Sequence, residues 1–171
     1  MLVRDSVRVI QGSKKEGLPE RVSVTLMFTA DLMLTIKSVY FQQKEDFTTS
    51  TLESLENVEN STRPLVTESE TKADHDLRNP LCPNDTAGEC IVEWCLQNDI
   101  KIANDGTPTR RMTHTETISS LDVTIYRDCE VTRCEASLSP DSDHYWITCE
   151  VFIGIGVGMI AITKPRRPLY T

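Results

Sequence analysis

Basic charge is scarce: 18 lysines and arginines stand against 26 acids, a net charge of −8. A strongly basic face is the usual electrostatic footprint of a nucleic-acid binder, and a chain of this balance does not offer one overall. The groups that could meet phosphate reduce to Arg110-Arg111 and to Lys164 with Arg166-Arg167. Between Lys44 and Asn79, nine acids face four bases. Charge alone therefore reads against a nucleic-acid partner. Long hydrophobic runs are also missing. The last apolar stretch, Val151 to Ile162, has twelve residues, where a membrane-spanning helix needs about 20. Its Gly154, Gly156 and Gly158 lack the spacing of a dinucleotide loop and have no helix after them. The stretch reads as a core strand running into a flexible apolar tail, with a peripheral membrane contact as the other possibility. The N-terminus has no basic start followed by an apolar run and a small-residue cleavage site, so no signal peptide is expected. An intracellular setting, nuclear or cytoplasmic, follows as the expectation, and the six cysteines read as reduced thiols. Cys90 and Cys95 are about 140° apart on a helix and do not easily share one zinc ion. Cys129 and Cys134 repeat that spacing and read the same way. Without a secretory route the sequons at Asn60 and Asn84 carry no meaning.

What is present is ordinary globular material, 39% hydrophobic and 26% charged, enough for one domain with a real core. Val22, Val24, Leu26 and Phe28 alternate with polar partners; Leu32, Leu34 and Ile36 resume the pattern after Thr29-Ala30-Asp31. That is a β-hairpin with a three-residue connection. Residues 43–63, rich in Glu, Ser, Thr and Asn, read as a loop or poor helix anchored by Leu52 and Leu55. Thr86 with Glu89 has the spacing of a capping box. Ala87, Cys90, Ile91, Trp94 and Cys95 then form a stripe at helical period, ending at Asn98-Asp99. Ile100 to Ala103 resumes as a short strand. Strands interleaved with a helix, with no repeat and no obvious linker, suggest one α/β unit.

The residues with chemistry to offer lie near the C-terminal end. Leu121, Val123 and Ile125 alternate with Asp122, Thr124 and Tyr126, so Asp122 points away from the apolar face. Ile147, Cys149, Val151 and Ile153 define the inner side of a later strand, and Asp143-His144 stand at its mouth, where scaffolds carry reactive groups. One acid beside a histidine can orient the imidazole, the other can hold a metal, and the histidine can take a proton from water. By itself Ser142-Asp143-His144 is a common tripeptide that also suits a solvated turn. Tyr40, sharing parity with Leu34 and Ile36, reads by itself as a core tyrosine.

Three segments in order, Asn104-Asp-Gly-Thr-Pro-Thr109, Ser119-Ser-Leu-Asp-Val-Thr124 and Ser139-Pro-Asp-Ser-Asp-His144-Tyr-Trp, resemble the C-terminal half of the endonuclease/exonuclease/phosphatase family. The likeness is closest to endonuclease domains of kinetoplastid non-long-terminal-repeat retrotransposons and runs from about residue 2 to 153, weakly across 43–79. It implies a partial four-layer α/β sandwich, two packed β-sheets flanked by helices, over residues 1–153, with 154–171 as an apolar and then basic tail. It further implies Asp143 as a ligand to Mg²⁺ or Mn²⁺, His144 as base, Asp122 as the group orienting it, Tyr40 as a contact to the scissile phosphate, and DNA as partner. No small-molecule cofactor is implied.

The departures are as informative. The family carries Gly-Asp-x-Asn-x-x-His on a central strand; here the best match is Glu68-Ser69-Glu70-Thr71-Lys72-Ala73-Asp74-His75. Glu70 is one methylene longer than Asp, Lys72 has no acceptor where Asn offers both functions, and Glu68 replaces a glycine. The family's metal-binding Glu and an earlier Asn fall upstream of Leu2. The expectation is a truncated, degenerate remnant of a Mg²⁺-dependent DNA endonuclease, inactive as this chain and with impaired metal and DNA binding. The alternative is a binding module without chemistry.

Overall fold

The computed structural model describes residues 8–15, 20–40, 48, 51–52, 64–70, 84–111, 118–139, 142–154 and 156–162. Eleven strands and one helix make up its named elements. β1 (Arg8–Lys15), β2 (Glu20–Met27) and β3 (Met33–Tyr40) form an antiparallel meander. Phe28 N–H still donates to Leu32 O (2.9 Å), which leaves Thr29–Asp31 as the connection proper, the length the residue pattern gives. β4 (Leu65–Glu70) joins β3 in parallel, and β8 (Asp122–Arg127) joins β4 antiparallel. The short β5 (Lys101–Ile102) closes the row, giving a six-stranded sheet in the order β1-β2-β3-β4-β8-β5. A second sheet consists of β9 (Glu130–Ser137), β10 (Trp146–Ile153) and β11 (Gly156–Ile162), and a small ribbon of β6 (Arg110–Arg111) and β7 (Ile118–Ser119).

Strand periodicity decides which layer each side chain enters. Val39, Val123 and Ile125 face the helix α1 (Thr86–Gln97) and pack with Ala87, Ile91, Trp94 and Cys95. Leu26, Leu34, Ile36 and Val66 face the other way and meet Val131, Ile147, Cys149, Val151 and Ile153 of the second sheet. The six-stranded sheet is therefore covered on both sides, and its β8 is buried throughout its first four residues. The described residues supply three layers of the expected sandwich: helix, sheet, sheet. Leu34, Val66 and Val151 are fully buried at the seam between the sheets. Cutting Leu34 to Ala removes packing worth roughly 2–5 kcal/mol.

Two local expectations change. The helix is capped by Asp85, not Thr86: Asp85 is extended (φ −119°, ψ 164°) and its Oδ1 accepts from Gly88 N–H at 2.7 Å. Thr86 is already the first helical residue, so Glu89 stands one place too late for a capping box and serves as a first-turn acid near the helix dipole. The apolar stretch after Ile153 is not a flexible tail through Ile162, because Gly156–Ile162 pairs with β10 from Gly156↔Ile153 to Ile162↔Ile147. Of residues 43–63, Thr51 and Leu52 are helical and Leu52 is buried under α1, while Leu55 falls outside the described residues. The C-terminal basic groups, Lys72 and His75 also fall outside them. No helix among the described residues is long and apolar enough to cross a membrane.

The cap assignment has a direct consequence. Asp85→Ala should lower stability by about 1 kcal/mol, read as a shift in the denaturant midpoint at constant slope, while Thr86→Ala should leave the midpoint nearly unchanged. Equal effects at both positions would return the cap to Thr86.

Candidate active site

The residues singled out from sequence gather at one end of the two sheets. Along that end the register places Tyr40 opposite Glu70 and Glu70 opposite Asp122, across β3, β4 and β8. Tyr40, half-buried, closes β3 on the face that Leu34 and Ile36 share. Asp122 opens β8 and is fully buried. His144 lies two residues before β10 and reaches back, its Nδ1 standing 3.2 Å from Asp122 Oδ2. Motif order and strand parity predict neighbouring strands for the two; the structure puts their strands in different sheets, so the contact spans the seam between the layers. The alternation that turns Asp122 away from the apolar Val123 and Ile125 is what aims it across that seam.

A buried carboxylate is costly unless it is compensated; here His144 meets the carboxylate, and neighbouring side chains hold the backbone on either side of it. Thr109 Oγ1 accepts from Asp122 N–H at 3.0 Å. Asn104 Nδ2 donates to Asp122 O at 3.0 Å, and Asn104 Oδ1 accepts from Thr124 N–H. β5 has ended by this point, and the amide of Asn104 continues its ladder by pairing with β8 as a strand backbone would. Ala103 N–H, bonded to Thr124 O at 2.8 Å, makes the step from strand to side chain. Gly106 takes φ 91°, a conformation that suits glycine and lets the chain turn after Asn104. Ser120 Oγ lies 3.0 Å from Gly106 O and 3.1 Å from Thr107 O, tying the turn to the approach of β8. Asp105 accepts from Thr107 Oγ1 (2.6 Å) and Thr107 N–H (2.9 Å). Those hydrogen bonds, the side-chain one foremost, hold its carboxyl below the usual range.

The histidine segment is fastened to the same loop. Thr109 N–H donates to Ser119 O (2.9 Å) and Thr109 O accepts from Tyr145 N–H (2.8 Å). Arg111 N–H donates to Asp143 O (2.8 Å), and Arg110 bridges His144. Ser142 Oγ accepts from His144 N–H at 3.1 Å, closing the turn. Ser142-Asp143-His144 is thus a turn, as the tripeptide alone allowed, but one tied at both sides. With Asp122 ionised, Nδ1–H is the donor and Nε2 keeps its lone pair, so an imidazole held this way can accept a proton at Nε2.

Asp143 behaves differently from the ligand it resembles. Its Oδ2 lies 2.8 Å from both Nε and Nη2 of Arg110. Partial burial works against its ionisation. The hydrogen bond and charge of Arg110, with His144 behind them, outweigh that and hold the carboxyl below its ordinary value. Mg²⁺ takes a near-octahedral set of oxygens. Among the described residues no three His, Cys, Asp or Glu side chains converge to hold a metal ion. Asp143, engaged by a guanidinium, does not by itself make such a site, so the described residues do not fit the ion. Arg110 was visible in the sequence only as a possible phosphate contact. Asn104 and Thr109 were visible as a motif without a role; turn-forming Asp105-Gly106 between two polar hydrogen-bonding residues was the signal that they brace a neighbouring strand.

Two variants check this geometry. Thr109→Val keeps the volume but leaves Asp122 N–H buried without its acceptor, an expected loss of about 1–3 kcal/mol. Arg110→Ala should move the Asp143 carboxyl up toward its ordinary range in a side-chain NMR titration. A depressed carboxyl contributes stability above its unfolded pKa that is lost as pH falls through its folded one. Asp143 is 40% exposed, so that contribution is small, and in Arg110→Ala it disappears. An unmoved titration would mean that Arg110 does not hold Asp143 in solution.

No family model and no curated protein matches the chain. Solved structures do. The endonuclease domain of TRAS1, a telomere-specific non-LTR retrotransposon, aligns with a TM-score of 0.61 at 19% identity, covering 88% of this chain and 80% of that one. An endonuclease/exonuclease/phosphatase family protein from Bacteroides thetaiotaomicron gives 0.55 at 8% identity, covering 89% and 68%. Humanized TDP2 from D. rerio gives 0.55 at 9%, covering 87% and 68%. At these identities the likeness is one of fold, and with its stacked sheets, flanking helix and strand order the chain has the α/β fold of the endonuclease/exonuclease/phosphatase type.

Proposed function

We propose that the chain descends from a divalent-metal-dependent DNA endonuclease and, as it stands, is catalytically silent. The observation that carries the reading is the Asp122–His144 contact, 3.2 Å across the sheets, within a fold shared with a retrotransposon endonuclease domain. In the ancestral reaction the group at Asp122 would orient the imidazole, the one at His144 would take the proton of an attacking water at Nε2, and the one at Tyr40, at the same end of the sheets, would contact phosphate. A positioned general base contributes typically about 10²–10⁴-fold. That factor is realised only when phosphate and water are held in line.

The parts that would hold them are altered. Glu70 and Lys72 stand where the related family carries Asp and Asn, and Lys72 adds positive charge without an acceptor. Arg110 occupies the carboxylate of Asp143, the residue a metal would need. A net charge of −8 weakens any attraction to a polyanion. The second reading is an interaction module without chemistry, and the closed Arg110–Asp143 pair together with the acidic charge favours it over a working nuclease.

The purified chain should not nick supercoiled plasmid above background with Mg²⁺ or Mn²⁺, and Glu70→Asp with Lys72→Asn should not restore nicking. Nicking that disappears in His144→Ala, with the fold of that variant checked by its melting curve, would overturn the silent reading. Cooperative melting of a monomer that never nicks would favour the interaction module.

A further inference from the structure

The two thiols of the second sheet have no part in the site above. β9 and β10 pair in register from Trp146↔Ser137 to Thr148↔Glu135, then slip so that Glu150 faces Thr132. Two residues, Arg133 and Cys134, thus stand against one, Cys149. Arg133 takes φ 48°, the local twist of a β-bulge. Continuing the register from Glu135 brings Cys134 opposite Cys149, and their Sγ atoms are 2.9 Å apart as thiols. Directly opposed residues of an antiparallel pair have Cα atoms about 4.5–5.5 Å apart, inside the span a disulfide can bridge.

We propose that Cys134 and Cys149 are a redox modification site, a dithiol that closes to a cross-strand disulfide by exchange with a small-molecule disulfide.

Access sets the order of events. Cys149 is fully buried and Cys134 half-buried, so the reagent meets Cys134 first. The Cys134 thiol loses its proton and attacks one sulfur of the reagent. Its S–S bond breaks, and the departing thiolate takes up a proton. Cys149, already in contact, loses its proton and attacks Cys134 Sγ, releasing the second half of the reagent as thiol. The protein loses two electrons and two protons, and the reagent is reduced to two thiols. Two of the other thiols are poor nucleophiles. Burial pushes Cys95 up to about 12, and burial followed by the charge of Asp128 pushes Cys129 up to about 11. Few of either are thiolate at neutral pH. Cys134 and Ile147 also border the small gap closed by Asn104, Thr107 and Thr109. The new bond therefore lies beside the loop that braces Asp122.

The full chain is incubated with oxidised glutathione, alkylated and mapped by peptide mass spectrometry. The expected product is a Cys134–Cys149 cross-linked peptide lighter by two hydrogens, reversed by a reductant, with slower amide exchange in β9 and β10. Cys149→Ala should trap glutathione on Cys134, and Cys134→Ser should leave Cys149 unmodified. If Cys149→Ala does not fold, Cys134→Ser at its half-exposed position still decides. Stable glutathione on Cys134 of the unaltered chain, both cysteines remaining alkylatable, or pairing of Cys134 with another cysteine would each overturn the proposal.

Discussion

The structure is organised around one fully buried acid side chain. Asp122 has no exposed surface, and a carboxylate in that position is tolerable only with hydrogen-bonding partners arranged around it. The groups around it come from segments far apart in sequence: the Asn104–Thr109 loop bonds its backbone N–H and C=O, and the turn at His144 meets its carboxylate. Because each makes backbone bonds to the next, they stand or fall together. The seam between the sheets is apolar along most of its length and polar at this end. The polar end is where the two sheets are locked in relative position.

At this end a side chain acts as strand. β5 continued beyond Ile102 would satisfy Asp122 O and Thr124 N–H with backbone. Asn104 makes both bonds with its amide and then lets the chain turn away through Gly106. The loop thus meets the pairing needs of β8 without extending β5. Thr109 adds a second such economy, with its hydroxyl bonded to one strand and its carbonyl to the segment entering another.

Much of this was legible in the residues. Alternation at Val123 and Ile125 fixed the face of Asp122, and alternation from Ile147 to Ile153 fixed the strand behind His144. The stripe from Ala87 to Cys95 identified the helix and its buried side. The relation between the sheets was not legible, since period-2 patterns report faces and not partners; Asp122 and His144 were for that reason expected on adjacent strands. The cap moved from Thr86 to Asp85 because both residues suit the position and only backbone dihedrals separate them. Gly154, Gly156 and Gly158 hid a strand, as glycine weakens the local signal while pairing with β10 supplies the order. The Arg110–Asp143 pair joins residues distant in sequence, and no local rule exposes it.

The position of β4 governs when the site can exist. β4 is a central strand flanked by β3 and β8, and both partners are remote in sequence. Contacts of such separation carry a loop-closure cost in entropy and slow folding. On a growing polypeptide the β1–β3 meander can form while most of the chain is still unsynthesised. β4 then has an unpaired edge until Asp122–Arg127 emerges, and the imidazole arrives only with the segment before β10. The contact between Asp122 and His144 thus becomes available late in synthesis, and a nascent chain ending before His144 holds Asp122 without that partner.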